Sequence, residues 1–285
     1  MKVRFRIFLL IVLSVILILL QFTLNKKNLV ENSVQASSLT LVKPIVEIDY
    51  ARAQEEVQVQ KQQASPEDFA LYKGYYNYLA SIPQELKDYF HFKANTTDKI
   101  VVLSFDDGPL AYTPSLMEVL SQSNTPATFF LLCNRITNTN SQWYSNPLFS
   151  YGMHTLSHKD YSYLDFEQTK QEIDKCQEIF AANNLLSQFF RPAFGIITPE
   201  LVDVLKTNQI IGVLWNIDSL DWDKKRGDEL VAQVLDNLSP GSIVLFHDGV
   251  NQTDLKRIIA GISEQGYRIV SLEELLEYPK LNSIY

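Results

Sequence analysis

From Lys99 onward the chain alternates short apolar runs with helix-patterned stretches, and that alternation constrains its fold more than any other feature. The strand-like runs are Ile100–Phe105, Ala127–Leu132, Gln188–Phe190, Ile210–Trp215, Ser242–Phe246 and Tyr267–Val270. The helix-like runs are Pro114–Ser121, Phe166–Ala182, Pro199–Thr207, Asp228–Leu238 and Thr253–Gln265. In the second of these, Ile173, Cys176, Ile179 and Phe180 recur at helical spacing and mark one apolar face. Thr198 before Pro199, and Ser115, read as helix starts. Such alternation implies a largely parallel sheet with helices outside it. Roughly seven strand-helix units are too few for a regular eight-fold barrel. We therefore expect an α/β protein built as a distorted (β/α) barrel, with an open doubly wound sheet as the second choice. Both place ligands at the carboxyl ends of the strands.

Polar clusters stand where those strand ends fall. They are Asp106-Asp107-Gly108, the pair His154 and His158, Arg191-Pro192, Asp218 with Asp221-Trp222, and His247-Asp248. Three of the chain's four histidines lie in them; His91, among aromatics, reads as structural. Acids and imidazoles gathered at strand ends suit a metal-dependent hydrolase. Adjacent side chains on a strand point to opposite sides, so one of Asp106 and Asp107 is free to face a metal and the other a substrate. An Asp-Gly pair is also a common turn. His154 and His158 are four apart, and on one helical turn they share a face and hold a single metal. Arg191, straight after an apolar strand, is placed to pair with a site carboxylate. An acid such as Asp218 or Asp221, if near a histidine, orients the imidazole and raises its pKa for proton transfer to a leaving group. Trp222 offers a flat wall to a sugar or an acetyl methyl; Trp215 reads as core.

The first residues differ from the rest. Ile7 to Leu24 is an apolar run interrupted only by Ser14, Gln21 and Thr23, preceded by Lys2, Arg4 and Arg6. It is just long enough to span a bilayer, with the body facing outward. We expect an uncleaved signal anchor over 1–25 and a single-pass membrane protein with an extracellular domain; a cleaved signal peptide and secretion is the competing reading. Residues 26–97 read as a stalk, helical near 66–91, where Phe69, Tyr72, Tyr75, Tyr76 and Leu79 keep helical spacing before Pro83. The catalytic domain is expected over 98–278 and a tail over 279–285. The net charge of −8, despite that basic tip, leaves an acidic body. It lacks the basic footprint of a nucleic-acid binder. Cys133 and Cys176 are the only cysteines. Their spacing does not decide pairing, and we read them as unpaired apolar thiols.

In this order the clusters resemble the motifs of the NodB-type polysaccharide deacetylases, carbohydrate esterase family four. Ser104-Phe105-Asp106-Asp107-Gly108-Pro109 is similar to the first motif and His154-Thr155-Leu156-Ser157-His158 to the second. Arg191-Pro192-Ala193-Phe194-Gly195, Asp218-Ser219-Leu220-Asp221-Trp222 and Leu245-Phe246-His247-Asp248 are similar to the remaining three. The resemblance implies a distorted (β/α) barrel and one divalent metal on Asp107, His154 and His158, with zinc ranked before cobalt, manganese and nickel. It implies Asp106 as general base held by Arg191, and His247 as acid tuned by Asp221. It also implies the Phe194 backbone N–H as oxyanion donor and Trp222 beside the acetyl group. Ala193 and Phe194 stand where proline and tyrosine are common, so one aromatic hydroxyl is lost. The lead-in Phe149–Met153 departs from the usual pattern as well.

The function expected on that resemblance is removal of N-acetyl groups from N-acetylglucosamine in a cell-surface glycan. Peptidoglycan ranks first. Chitooligosaccharide and poly-N-acetylglucosamine follow, and acetylxylan comes after them. A non-catalytic glycan-binding relative and a mononuclear iron oxygenase are the readings from other classes. The first would lack a ligand or base, and none is missing here. The second normally uses a double-sheet β fold.

Overall fold

The sheet is built on β2 (Ile100–Gly108), whose apolar residues Ile100, Val101, Val102, Leu103 and Phe105 are all buried. Near-continuous apolar runs of this kind belong to parallel strands buried on both faces. The computed structural model describes residues 74–281, apart from 76, 139 and 224. The expected membrane span and most of the expected stalk lie outside the described residues. Among the described residues no helix is long and apolar enough to cross a membrane.

The chain order is α1 (Gln84–Lys87), β1 (Phe90–His91), β2, α2 (Thr113–Gln122), β3 (Ala127–Leu131) and β4 (Phe149–Met153). Then come α3 (Phe166–Ala182), β5 (Phe189–Phe190), α4 (Pro199–Thr207), β6 (Ile211–Val213) and β7 (Ile217–Asp218). It finishes with α5 (Asp228–Leu235), β8 (Ser242–His247), α6 (Gln252–Glu264), β9 (Arg268–Ile269) and α7 (Leu272–Leu275). The strands lie in the order β1-β6-β5-β4-β3-β2-β8-β7, with β9 pairing β2. All of these named strand pairs are parallel.

This is a curled sheet of barrel type with a seam. From β7 through β8 and β2 to β6 the strands follow one another as in a (β/α) barrel, but β6 and β7 do not pair with each other. They are joined directly through Leu214-Trp215-Asn216 with no helix between them. The run Ile210–Trp215, expected as one strand, is thus a short strand that turns away at the seam. β1 covers the outer edge of β6, with Phe90 opposite Gly212. Phe90 and Phe92 are buried in the main core, so the domain's packing begins before residue 98.

Local signals account for the helix starts. Asp165 and Gln168 form a capping box at the head of α3, and the Thr198 side chain accepts from the Leu201 N–H at the head of α4. The expected start at Ser115 is not a cap: its hydroxyl donates to the Tyr112 carbonyl one turn back, and α2 begins at Thr113. Three left-handed residues, Asn124, Asn184 and Gln209, lie just past α2, α3 and α4. There a left-handed residue closes the final turn.

Cys133 and Cys176 form a disulfide, which corrects the unpaired reading. The turn after β3 and the buried face of α3 bring their Cα atoms to 5.3 Å, within bridging range.

Candidate active site

Adjacent strand residues normally diverge, yet Asp106 and Asp107 open on one cavity. The cause is a bulge in β2. Asp106 pairs with Phe130 and Gly108 with Leu131, which leaves Asp107 outside the register at φ 72°. A bulge re-aims the side chain it carries. The β2–β8 register sets Asp106 beside His247. An acid and an imidazole from neighbouring strands therefore share one face.

His154 and His158 do not share a helical turn, contrary to expectation. His154 follows β4 directly, and its N–H extends the ladder to the Leu131 carbonyl at 2.8 Å. His158 lies in the loop beyond, at φ 62°, with its N–H on the Thr155 hydroxyl at 2.8 Å. β4 escaped the sequence pattern because Ser150, Tyr151 and Gly152 interrupt its apolar run.

The imidazoles and Asp107 converge even so. Asp107 Oδ1 lies 3.6 Å from His154 Nε2 and 3.3 Å from His158 Nε2. One ligand atom from each of the three lies within 4.8 Å of the other two. His154 Nδ1 is 2.9 Å from the Arg191 carbonyl, which accepts and so fixes the proton there. Burial lowers the His154 pKa, aided by His158, against the pull of Asp106 and Asp107. A neutral ring protonated on Nδ1 turns a lone pair at Nε2 toward Asp107. Asp107 Oδ1 is buried and accepts no hydrogen bond. Lone pairs gathered in this way fit a divalent cation.

Arg191 lies under the site. It is fully buried and bonds in four directions: Nη1 to Asp106 Oδ1 at 2.7 Å and to the Ser104 hydroxyl at 2.9 Å, Nε to the Val213 carbonyl at 3.3 Å, and Nη2 to the Leu214 carbonyl at 3.0 Å. Its guanidinium carbon lies 4.0 Å from the centre of the Phe130 ring. Burial works against its charge, and Asp106 opposes that effect.

His247 faces the other side. Its Nδ1 is 2.9 Å from Asp221 Oδ1, and its backbone N–H donates to Asp221 Oδ2 at 2.8 Å. Burial alone would lower the imidazole, but the hydrogen bond to Asp221 and the charges of Asp221, Asp106 and Asp218 outweigh it and push it up to about 9. Burial raises Asp218 to about 6, against the Leu220 N–H and the His247 charge. The Trp222 indole N–H donates to Asp218 at 3.3 Å and turns the ring over the cavity mouth.

Backbone strain gathers here. Apart from the three residues that end helices, the non-glycine residues with left-handed φ among the described residues are Asp107, Thr155, His158, Phe194 and Leu220. Each belongs to a motif loop, and such strain persists where surrounding structure enforces it. Phe194 is 57% exposed, with its ring 4.5 Å from that of His158 at an interplanar angle of 76°.

Asp106, Asp107, His154, His158, Phe194, Trp222 and His247 all line one cavity of about 490 Å³, and Arg191 and Asp221 hold its members from behind. Tyr75, Trp215, Asp218, Leu220 and Leu245 line it as well; Asp218 was read with its polar cluster, whereas the other four were given no site role. Trp215 is both core and cavity wall. Only the aromatic spacing before Pro83 hinted at Tyr75.

A family model described as polysaccharide deacetylase matches residues 93–213. A peptidoglycan-N-acetylglucosamine deacetylase of Bacillus cereus is 31% identical over 207 residues, 67% of this chain and 94% of that one. The chain belongs to the polysaccharide deacetylase family. Within that family it is also 30% identical to a chitooligosaccharide deacetylase of a Bradyrhizobium species, over 52% of this chain and 70% of the relative. A crystal structure of a peptidoglycan N-acetylglucosamine deacetylase bound to a naphthalenyl N-oxidanyl-benzamide superposes with a TM-score of 0.63 at 28% identity, over 67% of this chain and 94% of that one. The family deacetylates polysaccharides, so this chain is an amide hydrolase of glycans.

Proposed function

We propose that this deacetylase removes the acetyl group from N-acetylglucosamine units of peptidoglycan, with a divalent metal, zinc first, on Asp107, His154 and His158. One observation carries the reading. The cation-fitting triad lies between a carboxylate tied to arginine and an imidazole tied to aspartate, all on one cavity. A cation held there supplies positive charge that polarises the amide carbonyl and acidifies water.

Asp106, oriented by Arg191, takes a proton from the attacking water. His247, charged at neutral pH, gives one to the departing nitrogen. The carbon–nitrogen bond breaks, the acyl carbon keeps the water oxygen, and the products are acetate and a glucosamine amine. Phe194 offers its backbone N–H to the developing oxyanion. Trp222 and the Phe194 ring, both exposed, stack against the sugar.

Peptidoglycan ranks first because the Bacillus cereus relative bears that activity in its name and matches along nearly its whole length. A basic tip followed by an apolar run at the N-terminus also suits a domain tethered outside the cytoplasmic membrane. The test is acetate release from purified peptidoglycan, chitooligosaccharide and poly-N-acetylglucosamine, together with bound-metal analysis. Peptidoglycan should yield the most acetate, and Asp106→Ala or His154→Ala should abolish it. Greater yield from chitooligosaccharide would move the substrate to that class. Release that persists in both variants would remove those residues from the mechanism.

A further inference from the structure

The lining of the cavity falls into an exposed and a buried set of residues. Trp222 and Phe194 are 45% and 57% exposed, whereas Trp215, Leu245 and Leu220 are 7%, 3% and 1% exposed. A glycan chain needs the exposed set. With the carbonyl held at the triad and the nitrogen toward His247, the small acyl tail is left for the buried set. That set is not completed by the barrel alone, because Trp215 stands in the seam where β6 and β7 do not pair.

Tyr75 completes it. Its ring stacks on Trp215 with centroids 5.4 Å apart and planes 10° from parallel. It also lines the cavity, on a helical turn ahead of residues 93–213, which the family model matches. A Cβ on Gly195 would meet the Tyr75 hydroxyl at 2.5 Å, so that glycine, at φ 67°, admits the tyrosine. One turn later the Tyr78 hydroxyl is fastened to Ile197, donating to its carbonyl at 2.9 Å and accepting from its N–H at 2.8 Å. The turn is thus pinned to the loop that carries Phe194.

We propose that Tyr75, set against Trp215, is a specificity-determining residue that limits the acyl group to acetyl. The inference rests on the amide-hydrolase reading above and deepens it. Removing the ring opens the buried wall toward the seam and makes room for a longer tail. Each methylene that a hydrophobic pocket newly accepts or refuses changes discrimination by roughly 10-fold or more.

The test compares N-acetyl and N-butyryl chitooligosaccharides on the full chain, native and with Tyr75→Ala and Tyr75→Phe. Native protein should prefer acetyl. Tyr75→Ala should raise the butyryl-to-acetyl ratio of kcat/KM about tenfold or more. Tyr75→Phe, which keeps the ring, should leave that ratio within about twofold. Partial loss of fold scales both rates by the same factor, so the ratio reports the wall in the molecules that remain folded. Calorimetric binding of acetohydroxamate and butyrohydroxamate to zinc-loaded protein gives the same comparison without turnover. A shifted binding ratio with no acetate released from any glycan would sink the deacetylation reading and leave this inference standing. An unchanged ratio in Tyr75→Ala, or a native protein that handles butyryl as well as acetyl or binds neither hydroxamate, overturns it.

Discussion

Asp221 grips His247 twice, through the ring at Nδ1 and through the backbone N–H, with one carboxylate oxygen for each. The ring is thereby oriented by a group that also favours its charged form. Ser219 donates its hydroxyl to the same carboxylate at 3.1 Å and helps to hold it.

A pH limit follows from that grip. His247 is raised to about 9, so its proton is available for transfer across the neutral range and is lost as the pH climbs through about 9. Acetate release should fall on that alkaline limb. Asp221→Asn removes the charge and leaves the burial, so the limb should move down by about two units or more. The same imidazole adds stability that is fully present below its unfolded pKa of about 6.5 and lost as pH rises through the folded value. Rate profiles and melts from pH 6 to 10 check both outcomes. An alkaline limb that stays in place in Asp221→Asn would remove His247 as the acid.

The pair Arg191–Asp106 predicts a different kind of loss. Both groups are closed to solvent, and the guanidinium satisfies two backbone carbonyls as well as the acid. Arg191→Met leaves a buried carboxylate without its partner, which costs about 3–5 kcal/mol. Arg191→Lys keeps a charge but not the planar fork, so it should recover only part of that stability. Denaturant midpoints measure each step. A midpoint for Arg191→Met equal to native would show that the pair contributes no stability.

Chelation should stop acetate release, and added zinc should restore it. With the cation gone, Asp107 Oδ1 returns to its unsatisfied state beside two imidazoles. Zinc should therefore raise the melting temperature of the native chain and barely move that of His158→Ala. Saturating a site at 100 times its dissociation constant adds about 2.7 kcal/mol. Differential scanning fluorimetry with and without zinc reads this directly, and equal shifts in native and His158→Ala would place the metal elsewhere.

The strands that are long and buried were legible, because Val101, Val102, Leu103 and Phe105 in β2 and Ile243 to Phe246 in β8 read as apolar runs. β4 and β7 were not. One carries Ser150 and Gly152 inside it, and the other has only two residues, Ile217 and Asp218. The acids and histidines that line the cavity were legible by type and by position after strands. The local shape of their loops was not, since left-handed Thr155 and His158 depend on packing that no spacing encodes. Tyr75 was hidden for the same reason: Trp215, which it stacks on, is far away in the chain and meets it only in the folded protein.

The disulfide was hidden likewise, and its position predicts a separation of stability from chemistry. Cys133 and Cys176 are 43 residues apart and join the turn after β3 to α3. Closing a loop of that length restrains the unfolded chain by about 4 kcal/mol at most. Around the bridge, however, the native turn is held by its own bonds. The Cys133 N–H donates to the Thr155 carbonyl at 3.1 Å, and the Asn134 N–H to the Leu156 carbonyl at 3.0 Å. These tie the turn to the His154 loop whether or not the sulfurs are joined. The double variant Cys133→Ala with Cys176→Ala should therefore unfold at lower denaturant while releasing acetate at near-native rate at 25 °C. Paired unfolding and activity measurements decide it. A large loss of activity under conditions where the variant is still folded would mean that the bridge itself positions the histidine loop.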